Sequence, residues 1–360
     1  MILTPPAHII WFHTAFLGDM ILLTAAMKHL ANVFPDRKQY LISTPLGIAA
    51  LKHLPFIEAC FEVQKGKGQT VLAQSKRLNE QLATAGLSKN NALILRTHGS
   101  FRSGLLTKLT GIPSVCHKES QLSFLSGHQV PRVAVMHECE RLAMLLEPLG
   151  VMRESFVGLR PGLEPLDSDE LIGRFPLLNP ESGKKLIGVA PGSVWGTKRW
   201  PVESFTLLVE RLCKNPDHVI VLIGSESEKV FTKHIVGKLS QSSDSNISDR
   251  ILDLSGATSL DDLRALYPLL SLLICNDSSP VHYGSAFNTP TLVIFGATVS
   301  GMGFGPLATR SKVAEIDINT LNCRPCSDHG PKTCPEKHFK CMKDLQVEKL
   351  FGLSEELLRV

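Results

Sequence analysis

The chain carries little charge of one sign: 38 Lys plus Arg against 34 Asp plus Glu leave +4 over 360 residues. So even a balance argues against the dense basic footprint of a nucleic-acid-binding protein and supports only a slight preference for anionic partners. Long hydrophobic runs are also missing. The longest apolar stretch, Ala265–Cys275, contains Pro268 and is closed by Asn276-Asp277. It reads as a core segment, since a membrane span needs roughly 18 or more apolar residues. The apolar run Ile9–Met27 has no Lys or Arg ahead of it and holds His13 and Asp19 inside it, unlike a secretory signal. There is no internal repeat, no low-complexity tract and no Gly-x-x-x-x-Gly-Lys-Ser/Thr loop, so a P-loop ATPase is not supported. The nine cysteines are an odd number, five of them scattered, which argues against a disulfide framework and for a reducing compartment. The expected location is the cytoplasm.

What is present is an ordinary globular composition, 43% apolar and 20% charged, with enough chain for about two domains at roughly 150 residues each. Short β-rich runs alternate with segments of helical period. His8–Phe12, Tyr40–Ser43, Cys60–Val63 and Leu93–Arg96 read as strands, and Met20–Val33 as a helix. A stretch broken by Pro161, Pro165, Pro176, Pro180 and Gly183 reads as a linker, after which Leu186–Ala190, Val219–Ile223, Leu272–Cys275 and Thr291–Phe295 resume the pattern. This is the βαβ signature of a parallel sheet, given twice. The expected fold is α/β: two Rossmann-like doubly wound domains facing across a cleft, residues 1–170 and 184–342, with a helix over 343–360 packing back on the first. Ligands bind beyond the carboxyl ends of such strands.

Four constellations could carry chemistry. In His13–Met20, Gly18 is placed at the turn and Asp19 near a helix start, where a carboxylate either caps the helix or serves as a general base. In Val189–Pro201, a loop with Gly192, Ser193 and Thr197 leads to Lys198-Arg199 and an amphipathic helix with Phe205, Leu208, Val209 and Leu212. Its amides and cation either cradle a phosphate or form a solvated turn. In Cys275–His282, Asp277, Ser278, Ser279 and His282 follow an apolar strand within a few residues, a density that favours a ligand over simple capping. Between these, Glu226 ends another strand, either to hold ribose hydroxyls or as an exposed turn. Finally Cys323, Cys326, Cys334 and Cys341, with His329 and His338 interleaved, either suit tetrahedral zinc or pack a loop-rich lobe.

Together, Gly18-Asp19-Met20-Ile21-Leu22-Leu23-Thr24, the Pro191-Gly192-Ser193 to Lys198-Arg199-Trp200-Pro201 block, Asn276–His282 and the Cys323-x-Pro325-Cys326 to Cys341-Met342 tail resemble the bacterial ADP-heptose:lipopolysaccharide heptosyltransferases of glycosyltransferase family nine, most of all the heptosyltransferase II branch. Phe295–Thr298 and Phe304-Gly305-Pro306 also match that branch. The resemblance implies the GT-B fold, an acceptor-binding N-terminal half, a nucleotide-sugar-binding C-terminal half with a Cys-rich lobe, and inverting transfer without a metal or other cofactor. On it, Asp19 deprotonates the acceptor hydroxyl, Lys198 neutralises the departing diphosphate, Glu226 binds ribose, and Asp277 to His282 hold the phosphates and heptose. The implied partners are ADP-heptose and the lipopolysaccharide inner core, with peripheral contact at the inner face of the cytoplasmic membrane and no nucleic acid. Two departures stand out: Ala25 where the family often has proline, and Ser279 where it often has glycine. Transfer of another sugar such as an N-acetylhexosamine, a sugar-nucleotide epimerase on the same architecture, and a zinc-stabilised binding module are the competing readings.

Overall fold

A computed structural model describes residues 3–64, 70–241 and 247–359. The chain folds as two compact units, Met1–Leu163 and Glu164–Val360. The first runs β1 (His8–Phe12), α1 (Leu17–Val33), β2 (Lys38–Ser43), α2 (Pro45–Leu51), β3 (Ile57–Glu62), α3 (Val71–Thr84), β4 (Ala92–Arg96), α4 (Phe101–Thr110), β5 (Ser114–His117), β6 (His128–Val130) and α5 (Glu138–Ala143). Its sheet has the order β3-β2-β1-β4-β5-β6, every pair parallel.

The central strands are near-continuous apolar runs because both of their faces are covered: Ile9, Ile10, Trp11 and Phe12 of β1 are fully buried. The polar edge of Trp11 is met locally. Trp11 Nε1 donates to Gln39 Oε1 at 2.7 Å, and Gln39 Nε2 donates to the Met27 carbonyl at 2.9 Å, so one buried amide ties β1, β2 and α1 together. Thr24 on α1 accepts from the Gly162 N–H at 2.7 Å, which fixes the end of this unit against that helix.

β5 ends on His117, whose side chain is almost wholly buried. Burial, reinforced by the Arg132 cation, pushes its imidazole from the ordinary 6.5 down to about 4. The unfolded chain therefore takes up a proton that the folded chain refuses between those values. Stability is full above the upper value and falls as pH drops through the window. Between pH 7 and pH 5 the loss from this one group is about 2 kcal/mol. Thermal melts at the two pH values should show a smaller gap for His117→Gln than for the native chain, and an unchanged gap would assign the acid sensitivity elsewhere.

The second unit runs α6 (Asp169–Arg174), β7 (Lys185–Ala190), α7 (Val202–Leu212), β8 (His218–Leu222), α8 (Lys229–Leu239), β9 (Ile251–Asp253), α9 (Leu260–Leu266), β10 (Leu272–Asn276), α10 (Ser279–Phe287), β11 (Thr291–Ile294), β12 (Ser311–Ala314), α11 (Lys340–Lys343) and α12 (Val347–Leu358). The parallel order β12-β11-β10-β7-β8-β9 repeats that of the first. On α7, Phe205, Leu208, Val209 and Leu212 form the buried stripe that the sequence spacing predicts, and Trp200 stacks edge-on against Phe205 at 5.1 Å.

Two boundaries differ from the sequence reading. The proline-broken stretch read as a linker is folded onto the second unit: Leu171 and Leu178 are buried, Arg174 pairs with Asp262, and Arg264 Nε donates to the Glu164 carbonyl at 2.9 Å. Pro176 and Pro180 here open short 3-10 turns without freeing the chain. The segment 343–360, expected on the first half, joins the second unit's core instead, Leu350, Leu357 and Leu358 packing with α7 and the sheet. The Arg211–Glu348 ion pair at 2.6 Å and the bond from Lys185 Nζ to the Leu358 carbonyl at 2.7 Å hold it there.

Candidate functional site

In the second unit the strand order reverses between β7 and β10, which are hydrogen-bonded neighbours. The loops leaving two such strands diverge to opposite faces and leave a crevice at their carboxyl ends. The loop after β7 is Pro191–Arg199, and after β10 come Asp277, Ser278 and α10. Asn276, the last residue of β10 and fully buried, fastens the two. Its Oδ1 accepts from the Trp200 N–H at 2.9 Å, and its Nδ2 donates to the carbonyls of Pro191 at 2.8 Å and Gly192 at 3.3 Å. Asn276→Ala leaves three buried backbone groups unsatisfied and should cost about 2–4 kcal/mol, read as a lower Tm. A melt within a degree of the native chain would show that the loop does not depend on it.

Across this junction Lys198 Nζ donates to Asp277 Oδ2 at 2.6 Å, with side-chain exposures of 13% and 6%. Thr298, beyond β11, donates to the same oxygen at 2.7 Å. The carboxylate is thus held from both sides, and it fixes the ammonium at the crevice. Ser278 caps α10 in extended conformation without a side-chain cap bond, and Pro280 occupies the first turn. The amides of that turn and the positive end of the helix favour negative charge. Cation and amides together suit a diphosphate.

The remaining residues singled out from the sequence are distributed unevenly around this junction. Gly192 lies against the Glu228 side chain, which a Cβ there would push aside. Ser193 is buried, its carbonyl accepting from Arg199 Nε at 2.7 Å while the Arg199 guanidinium covers the Phe231 ring. Ser279 opens α10 half-buried and His282 lies buried one turn on. Glu226 follows the neighbouring strand β8, exposed and paired with Lys229 at 2.7 Å. Thr197 turns instead toward the Cys-rich lobe and donates to the Pro331 carbonyl.

That lobe buttresses the loop. A Cβ on Gly196 would lie 2.4 Å from the Lys332 carbonyl, and Cys326 N–H donates to the Ala297 carbonyl at 2.8 Å. The Arg324 side chain is fully buried, and its Nη2 donates to the Thr298 carbonyl at 2.7 Å and to Glu315 at 2.9 Å. Cys323 Sγ and His338 Nε2 are 3.8 Å apart, and burial pushes the Cys341 thiol up to about 11. Among the described residues no group of three or more His, Cys, Asp or Glu has metal-holding geometry.

In the first unit the corresponding reversal falls between β1 and β4. α1 begins at Leu17, so Gly18 sits inside the first helical turn and not in the preceding loop. Asp19 is half-buried there, its Oδ2 accepting from the Phe16 N–H at 3.2 Å. His13 and His98 stand at the same strand ends. Thr97 Oγ1 donates to the Phe12 carbonyl at 3.1 Å and lies 2.7 Å from His13 Nδ1. Thr14 Oγ1 and His98 Nδ1 are 3.0 Å apart. Asn276 and Thr298 lie in motifs the sequence marks, but their partners, like those in the Thr–His pairing, stand at strand ends far apart in sequence.

Two Rossmann-like units, the second with a cation and helix amides at its strand reversal, define an α/β protein of doubly wound parallel sheets. The chain belongs to glycosyltransferase family 9 (heptosyltransferase), whose family model matches residues 81–339. It is 31% identical to lipooligosaccharide heptosyltransferase 2 of Campylobacter jejuni serotype O:6, over 93% of this chain and 94% of that one. It is 23% identical to lipopolysaccharide heptosyltransferase 2 of Escherichia coli K12, over 84% and 86%. Among solved structures, E. coli ADP-heptose lps heptosyltransferase II superposes with a TM-score of 0.77 at 18% identity over 98% of both chains. A family 9 glycosyltransferase from Veillonella parvula gives 0.79 at 19% identity, over 99% and 98%. The pair of Rossmann-like units is the GT-B fold of these structures.

Proposed function

We propose that this chain transfers heptose from ADP-heptose to the inner core of lipopolysaccharide, with inversion and without a metal. Relatives named for this activity along most of their length support the substrates, and one observation carries the chemistry: the Lys198–Asp277 pair beside the first turn of α10. The acceptor hydroxyl attacks the anomeric carbon in line, Asp19 takes its proton, and the bond to the β-phosphate oxygen breaks to release ADP. A single base suffices for inversion, and the departing charge can be stabilised by a fixed cation and amides. Lys198 meets the diphosphate, and Ser278, Ser279 and His282 line the phosphate and sugar. Asp277 acts through Lys198. Gly192 and Ser193 shape the loop, Thr197 anchors it, Gly18 keeps the approach to Asp19 open, and Glu226 accepts from the ribose hydroxyls. The reaction takes place in the cytoplasm.

Incubation with ADP-heptose and a core acceptor lacking its second heptose tests this, reading ADP release together with the mass of the acceptor. Gain of one heptose is the expected result. Turnover of the donor without acceptor, giving an isomeric nucleotide sugar, would replace the proposal with an epimerase.

A further inference from the structure

An ion pair fixes a distance and leaves an orientation open. Lys198 reaches the crevice on a flexible four-carbon stem, and its bond to Asp277 Oδ2 at 2.6 Å would swing with the carboxylate whenever Asp277 turned about its own side-chain bonds. The terminal torsion of an aspartate has a broad well. A second group has to hold the carboxylate still.

The Thr298 hydroxyl, in the loop after β11, meets that need. It donates to the same oxygen at 2.7 Å, and both residues are buried. Its β-branched side chain is stiff at χ1, and its backbone is held by the Cys-rich lobe. The fully buried Arg324 donates from Nη2 to the Thr298 carbonyl at 2.7 Å and to Glu315 Oε2 at 2.9 Å, from Nε to the Gly296 carbonyl and from Nη1 to the Ile316 carbonyl. Between the first and last residues of this short loop, the Ala297 carbonyl accepts from the Cys326 N–H at 2.8 Å. Three successive carbonyls, of Gly296, Ala297 and Thr298, are thus taken by donors from the lobe. Glu315 also accepts from Ser300 Oγ at 2.7 Å, which ties down the far side of the loop. A buried guanidinium is costly to desolvate, whereas a buried network whose members are satisfied rigidifies what it binds. This network leads to the Thr298 hydroxyl.

We propose that Thr298 is a positioning residue for the transfer reaction: its hydroxyl sets the Asp277 carboxylate, and the carboxylate sets the Lys198 ammonium where charge grows on the departing diphosphate. The lobe takes part in the reaction through this hydroxyl, by way of Arg324. The inference rests on the proposed role of Lys198. Fixed charges are effective in a transition state because they need no reorganisation as charge develops, and a displacement of about 1 Å can cost on the order of 100-fold.

The test compares kcat for transfer, ADP affinity by calorimetry and Tm in full-length Thr298→Val, which keeps the branched shape and loses the hydroxyl, and Thr298→Ser, which keeps the hydroxyl. The valine variant should melt within a few degrees of the native chain, lose roughly 10- to 100-fold in kcat and lose less than about fivefold in ADP affinity. Serine should return most of both. In the Lys198→Ala background the same valine substitution should change neither quantity by more than about twofold, since a residue that acts through the lysine then has nothing left to place. Near-native kcat in a folded valine variant overturns the proposal. So does an undiminished further loss in the Lys198→Ala background, which would make Thr298 act independently of the lysine, or failure of serine to recover the rate, which would make it a packing residue. If valine unfolds the chain, serine and alanine, which differ in the hydroxyl alone, are compared in both backgrounds with the same expectations. A native chain that binds ADP and transfers no heptose would refute the proposed activity, and ADP affinity would still decide the present proposal. A loss with Thr298→Val that vanishes in the Lys198→Ala background supports it; no loss, or equal loss in both, overturns it.

Discussion

Lys198→Ala should lower turnover by roughly 30- to 1000-fold, the equivalent of about 2–4 kcal/mol of lost stabilisation for a departing diphosphate. Binding of ADP in the ground state should weaken less, because the charge that Lys198 meets grows as the glycosidic bond breaks. The single substitution has a side effect visible in the geometry. It strips the buried Asp277 carboxylate of its cation and leaves Thr298 as the neighbour that donates to it, and a buried charge without its partner destabilises the fold. The pair Lys198→Ala with Asp277→Asn separates the two effects. It should recover the melting temperature lost by Lys198→Ala and recover none of the turnover. Return of turnover along with stability would mean that the lysine served the fold and not the leaving group.

The central strands and the helices α1 and α7 are legible in the sequence because they are locally determined, whereas α3, α4 and α8 are not marked there. His8–Phe12 was read as a strand and is one, with four of its five residues fully buried, a pattern that only two-sided burial produces. β5, β6, β9 and β12 were missed. Each has three or four residues and lies toward the edge of its sheet, so pairing with a neighbour holds it in place more than its own apolar pattern does. The same distinction governs the site. Lys198 and Asp277 can each be singled out from a strand–loop–helix pattern, but nothing in either stretch says that they meet, since the contact spans the three crossovers through α7, α8 and α9. Asn276 was visible as a strand-end residue suited to capping, yet its three partners lie in the loop after β7. The C-terminal helix was read as a helix and assigned to the wrong unit. Its amphipathic period shows that one face is buried, and a period contains no information about what buries it.

Asp19→Asn separates a cap from a base. In the fold Asp19 holds the third position of α1 and accepts from the Phe16 N–H at 3.2 Å, a bond that the amide oxygen of asparagine can also accept. What asparagine removes is the charge at the helix N-terminus, worth about 0.3–1 kcal/mol, and the ability to take a proton. The variant should therefore melt within a few degrees of the native chain and bind ADP-heptose normally. Transfer should fall on the order of 100-fold or more. The loss should appear in kcat and leave KM for the donor unchanged, which a structural defect would not do. Glutamate at the position restores a base on a longer arm and should return part of the rate without improving the cap. Near-normal transfer by a well-folded Asp19→Asn chain would remove Asp19 from the chemistry. His13 would then be the next group to test, since it stands at the same strand ends, its Nδ1 2.7 Å from Thr97 Oγ1.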